Sequence, residues 1–124
     1  MKYDDSLRTP APAIDVVLRS PRRSAQAISM RAILDTGAGI TVIPLALVAE
    51  LQLQVEERIV LVGYDNAITE SETCLVNLEM VGYTFRAVSV VAAPRATVLL
   101  GRDILNRFRI TLDGKAQTFE MIDP

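Results

Sequence analysis

No histidine occurs anywhere in the 124 residues, which removes the usual base of serine and cysteine hydrolases and the commonest zinc ligand. Carboxylate chemistry is what remains, with 15 Asp and Glu residues to supply it. One of them stands apart. Asp35 ends the apolar run Ala32-Ile33-Leu34 and is followed by Thr36 and Gly37. A carboxylate there can sit in a tight turn whose backbone N–H groups point at its oxygens, and the missing side chain of Gly37 lets a second loop approach. Thr36 adds a hydroxyl that can bond across to that second loop. Sixty-six positions after Asp35 comes a bare glycine, Gly101, at the end of Val98-Leu99-Leu100, suited to pack behind the turn.

The elements that must position these residues are mostly strands. Ala13–Arg19 alternates loosely, and a turn at Ser20-Pro21-Arg22-Arg23-Ser24 leads to Gln26–Leu34, which puts Ile28, Met30, Ala32 and Leu34 on one face and runs straight into Asp35. The β-branched run Ile40–Ile43 follows. Pro44 suits the first turn of a short helix through Leu51, with Leu47 and Leu51 facing inward. Arg58–Val62 and Ala67–Cys74 flank the turn-forming Gly63-Tyr64-Asp65-Asn66, which predicts a hairpin with its tip at Tyr64 to Asn66. Leu75–Met80 and Thr84–Val91 form another pair. Thr97–Leu100 is a short apolar strand, Arg102–Phe108 has helical spacing, and Arg109–Leu112 with Gln117–Ile122 brackets the hairpin signal Asp113-Gly114. Residues 1–12, with Pro10 and Pro12, read as a flexible or partly extended arm.

Composition narrows the functions. Half the residues are apolar, so a single domain over 13–124 can bury a core, and no second domain fits. A net charge of -2 with interspersed arginines makes nucleic acid an unsuitable partner. No apolar run approaches the ~20 residues that span a bilayer, and the polar, mixed-charge N-terminus does not read as a targeting segment. The expectation is a soluble cytoplasmic protein with no membrane partner. Cys74 is the sole cysteine, so no internal disulfide can form.

The pair Ala32-Ile33-Leu34-Asp35-Thr36-Gly37-Ala38 and Val98-Leu99-Leu100-Gly101-Arg102-Asp103 resembles the retropepsin-like aspartic peptidases, and the order of elements matches from Ala13 to Leu112. The resemblance implies an all-β fold, a closed acid-protease-like barrel of one lobe with one or two short helices. It implies that Asp35 is the catalytic carboxylate, Thr36 an inter-subunit hydroxyl clasp, and Gly37 a substrate-contacting turn residue. Ile33, Ala38, Thr97 and Leu99 are then expected to line the substrate cleft, with Val62, Gly63, Tyr64 and Asp65 in the flap over it. Gly101 becomes the packing glycine and Arg102 a structural cation. Because Asp-Thr-Gly occurs once, the implied dyad needs a homodimer, two Asp35 carboxyls sharing a proton and holding a water, with no metal and no cofactor. Where retroviral members usually carry an acidic partner for this arginine, the chain has Gly39, which leaves the partner of Arg102 open.

Two other classes stay in view. A non-catalytic module of the same fold could bind extended peptide or dimerise, and a small β-barrel binding domain would explain the composition but not the double motif.

Overall fold

The computed structural model describes residues 1–23, 25–63 and 65–123. Ten strands and two short helices follow one another as β1 (Tyr3–Asp4), β2 (Ala11–Arg19), β3 (Ala27–Leu34), β4 (Val42–Pro44), α1 (Ala46–Glu50), β5 (Val55–Val62), β6 (Ile68–Met80), β7 (Tyr83–Ala93), β8 (Val98–Leu100), α2 (Arg102–Leu105), β9 (Arg109–Asp113) and β10 (Thr118–Ile122). Strands β2, β3, β8, β4, β7 and β6 pair in that order, and β2 meets β6 again through Val17↔Glu79, Leu18↔Leu78 and Arg19↔Asn77. That last pairing closes the sheet into a barrel and leaves no open edge among those strands.

Strand alternation decides what fills the barrel. Val16 and Leu18 of β2, Val76 and Leu78 of β6, Val90 of β7, and Val98 and Leu100 of β8 are fully shielded from solvent. Each contributes roughly 1.5–3 kcal/mol by leaving water. Leu47 and Leu51 from the α1 region, Ile104 and Leu105 from α2 and Phe119 from β10 join the same core. Cys74 is buried there as a free thiol.

Several boundaries differ from the sequence expectation. Pro44 closes β4 instead of opening the helix, because β4 lies parallel to β7, with Pro44 opposite Ala93 and the Leu45 N–H bonded to the Ala93 carbonyl at 2.8 Å. Proline suits that place since it need not donate. The helix therefore begins at Ala46. The two expected strands Ala67–Cys74 and Leu75–Met80 are one 13-residue strand, β6, which serves the β5–β6 hairpin at one end and the barrel at the other.

Residues 1–4 are extended and paired on both sides. Tyr3 and Asp4 oppose Pro12 and Ala11 of β2, while the Met1 ammonium donates to the Phe119 carbonyl at 2.9 Å and Lys2 bridges to Thr118. Asp4 also meets Arg31 of β3 at 3.2 Å. The hydroxyl and N–H of Ser6, with Arg31, hold its carboxyl below the ordinary value. No helix among the described residues is long and apolar enough to cross a membrane.

Candidate active site

Asp35 stands where β3 leaves the barrel. Parallel pairing of β3 with β8 puts Ile33 opposite Leu99 and Leu34 opposite Leu100, and the Asp35 N–H continues the ladder to the Leu100 carbonyl at 3.0 Å. The turn then closes on itself. Gly37 N–H donates to Asp35 Oδ1 at 2.9 Å, and Ala38 N–H donates to the Asp35 carbonyl at 3.2 Å. A Cβ at position 37 would stand 3.1 Å from that same Oδ1, so glycine lets the carboxylate keep its backbone donor without crowding. Asp35 is half-buried, and Thr36 and Gly37 are exposed. The carboxylate thus lies at an open surface on a rigid base. Among the described residues the Thr36 hydroxyl has no hydrogen-bond partner.

The second loop locks the first from behind. Gly101 is buried, and a Cβ there would lie 2.6 Å from the Ile40 carbonyl carbon and 2.9 Å from the Thr41 nitrogen, closer than any side chain tolerates. Arg102 and Asp103 N–H groups donate to the Ala38 and Gly39 carbonyls at 2.8 and 3.3 Å. The Arg102 guanidinium donates through Nη1 to the Thr36 carbonyl at 2.8 Å. Its partner is therefore a backbone oxygen of the Asp35 turn. Gly39 leaves room for the arrangement, since a Cβ there would come within 3.4 Å of the guanidinium.

Three residues that carry this geometry were not singled out by sequence reasoning. Thr41 is fully buried, and its hydroxyl accepts from Gly101 N–H at 3.1 Å while donating to Asp103 Oδ1 at 2.7 Å. Asp103 Oδ2 accepts the Thr41 N–H at 3.1 Å, and Oδ1 also accepts the Ile104 N–H at 2.9 Å. Arg95 donates from Nε to the Thr97 carbonyl at 2.6 Å and from Nη2 to Thr97 Oγ1 at 3.1 Å. An acid beside the expected glycine loop was the available signal for Asp103. Thr41 gave none, because a threonine within Ile40–Ile43 reads as ordinary strand filler.

Of the expected cleft residues, Ile33 and Leu99 oppose each other across β3 and β8, Ala38 lies in the Asp35 turn and Thr97 just before β8; all four are half-buried, while Ala32, Val98 and Leu100 face the core. The flap residues are not brought to them. β5 hydrogen-bonds to β6 alone. Val62 is 68% exposed and Ile68, its cross-strand partner, 72%. The Gly63 N–H donates to the Ala67 carbonyl, and Asp65 Oδ1 caps the turn by accepting the Ala67 N–H, both at 3.0 Å. Tyr64 lies outside the described residues. Two clefts, of 780 and 330 Å³, are lined by Ser20, Arg22, Arg23, Gln52, Gln54 and neighbours, and by Tyr83, Phe85, Asp103, Phe108 and neighbours; neither includes Asp35.

Residues 25–104 match the aspartyl protease family. Among solved structures, EIAV protease complexed with the inhibitor HBY-793 superposes with a TM-score of 0.60 at 20% identity, covering 86% of this chain and 92% of that one. A retropepsin-like aspartic protease from Rickettsia conorii gives 0.57 at 15% identity, covering 90% and 92%. The retroviral protease-like domain of Ddi1 from Leishmania major gives 0.52 at 16%, covering 90% and 89%. No curated protein matches the chain. Since the matched stretch holds the Asp35 turn, the Gly101 loop and the strands between them, the chain belongs to the aspartyl protease family, and its fold is that of the retropepsin-like proteases.

Proposed function

We propose that two copies of the chain join so that their Asp35 side chains form one catalytic dyad, which cleaves extended polypeptides with a preference for apolar residues. The observation that carries this reading is the single Asp35, half-buried on a rigid turn at an open surface, in a family whose chemistry needs two carboxyls. With one proton shared between the pair, the ionised Asp35 takes a proton from a held water as its oxygen attacks the scissile carbonyl carbon. The protonated Asp35 gives its proton to the carbonyl oxygen. Collapse of the resulting diol then returns a proton through the dyad to the leaving nitrogen, the C–N bond breaks, and acid and amine leave.

The neighbouring residues have matching tasks in this reading. Gly37 N–H orients its own Asp35, Thr36 offers its unpartnered hydroxyl to the other copy's turn, and Ile33, Ala38, Thr97 and Leu99 make the apolar walls. The flap residues Val62, Gly63, Tyr64 and Asp65 fold over the substrate to exclude water. Gly101 and Arg102 hold the turn. A reducing cytoplasm suits a chain whose one thiol is buried and unpaired.

The test is digestion of a peptide library by the wild-type protein and by Asp35→Asn, with circular dichroism showing that the variant is folded. Cleavage that survives in Asp35→Asn sinks the dyad. Binding of extended peptides by both proteins without cleavage leaves the non-catalytic module standing.

A further inference from the structure

Arg95 lies next to the expected cleft wall, and among the described residues it has no acid to hold. We propose that Arg95 is a specificity residue, whose guanidinium binds the carboxylate of a substrate Asp or Glu about three residues from the scissile bond. This inference rests on the Asp35 site proposed above. It narrows the substrates to extended chains with apolar residues at the cut and an acid further out.

The strands set the position of Arg95. β7 stops at Ala93, before Pro94, and the link through Arg95 and Ala96 reaches Thr97 directly before β8. Val98 and Leu100 are buried in the core, so alternation puts Thr97 and Leu99 on the outer face, and on β3 it puts Arg31 and Ile33 there beside them. Asp35 lies at the far end of that face, with its N–H on the Leu100 carbonyl. Thr97 stands three residues before Leu100. At ~3.3 Å per residue that is roughly 10 Å, which an extended substrate covers in about three residues.

The side chain is held in place with part of its bonding capacity unused. Arg95 is half-buried, and its Nε and Nη2 donate to the Thr97 carbonyl and hydroxyl at 2.6 and 3.1 Å. Those two atoms form one edge of the guanidinium plane. The other fork, Nη1 with the second hydrogen of Nη2, has no partner among the described residues. Its parallel N–H groups match a carboxylate bidentately. Because the bonds to Thr97 already restrict the arginine's rotamers, little freedom is left to lose when a carboxylate binds.

Neighbouring cations are committed elsewhere. Arg31, on the same outer face, holds Asp4 at 3.2 Å and Asp15 at 3.4 Å, and Arg102 donates to the Thr36 carbonyl. The wall residues Ile33, Ala38 and Leu99 carry no charge. Arg95 is therefore the group there that can tell an acid from its amide. The two-fold axis of the dyad sets one Arg95 on each side of the scissile bond, so an acid is read on either side of the cut.

The test uses pairs of peptides of one apolar sequence that differ only in Glu or Gln, placed at successive positions out to about four residues on each side of the cut. Cleavage is measured as kcat/KM, and binding to the Asp35→Asn protein is measured by fluorescence anisotropy. Wild type should favour Glu over Gln about tenfold at the best position, an advantage moderated by the partial exposure of Arg95. Raising salt to about 0.5 M should shrink it. Arg95→Gln, which keeps an amide donor for Thr97, should bring the ratio close to one, and Arg95→Glu should favour Lys over Gln. A ratio taken within one protein cancels any loss of stability common to both peptides. A wild-type ratio near one, or a ratio that survives in Arg95→Gln, overturns the assignment. Cleavage without a Glu preference removes Arg95 and keeps the dyad. Glu-selective binding that Arg95→Gln abolishes, with no cleavage by wild type, keeps Arg95 and removes the dyad. Neither binding nor cleavage of any peptide overturns both.

Discussion

Asp103 holds Thr41 at two points: Oδ1 accepts the Thr41 hydroxyl at 2.7 Å and Oδ2 accepts the Thr41 N–H at 3.1 Å. The same hydroxyl accepts the Gly101 N–H, so one buried oxygen joins the loop that follows Asp35 to the loop that backs it. The carboxylate that matters structurally is thus separate from the one proposed to do chemistry.

The first prediction follows from that joint. Thr41→Val keeps shape but orphans the Gly101 N–H and leaves Asp103 Oδ1 with the Ile104 N–H alone, and leaving a buried group unpaired costs about 1–3 kcal/mol. Thr41→Val should lower the denaturation midpoint clearly, and Thr41→Ser, which keeps the oxygen, should recover most of it. Equal losses in the two variants would show that the methyl group, not the hydroxyl, is what matters.

Gly101→Ala should be worse. Its Cβ would penetrate the Ile40–Thr41 peptide at 2.6–2.9 Å, and backbone on both sides cannot yield as a flexible side chain would. Overpacking a core by one carbon typically costs about 1–3 kcal/mol. Here the expected loss lies at the top of that range, with weakened peptidase activity, because the displaced peptide supports the Asp35 turn. A thermal midpoint within a degree of wild type would contradict the close approach.

Legibility of the fold from sequence tracks how local each signal is. The turn at Asp35-Thr36-Gly37 and the close approach at Gly101 were readable because both geometries are set by residue type within a few positions. Pro44 was misassigned because its tolerance in β4 comes from a parallel neighbour, β7, which no local pattern announces. The pairing of residues 1–4 with Gln117–Phe119 was invisible for the same reason: Met1-Lys2-Tyr3-Asp4 has no period of its own, and its partner lies at the far end of the chain. The partner of Arg102 was not legible because it is the Thr36 carbonyl, a backbone oxygen that no residue type displays.

Cys74 gives stability a signature in alkali. Burial, with Glu56 and Glu72 nearby, pushes its thiol up from 9.0 to about 11. The folded state holds the proton more tightly than the unfolded chain, so the contribution is complete below the unfolded value. It is lost as pH rises from about 9 through about 11. Urea midpoints should therefore fall across that window more steeply in wild type than in Cys74→Ala. At neutral pH a thiol reagent should modify Cys74 only as the protein unfolds. Parallel slopes in the two proteins would mean that other groups account for any alkaline loss.

Subunit mixing puts the shared site to its sharpest test. If each active unit contains one Asp35 from each copy, a chain carrying Asp35→Asn contributes neither an acid nor a base, and it disables the wild-type copy with which it pairs. Wild type and Asp35→Asn combined in equal amounts, and given time to exchange, should form active wild-type pairs as only about a quarter of all dimers. Activity would then drop to about half that of the same wild-type chain without the variant, and further as Asp35→Asn is added. An enzyme acting as a monomer would be indifferent to the addition. Slow exchange would mimic that indifference, so the mixture should also be prepared by dilution below the dimer dissociation constant followed by concentration, which forces the copies to re-pair. Full wild-type activity after that treatment would show that one Asp35 suffices, and the two-copy mechanism would have to be abandoned.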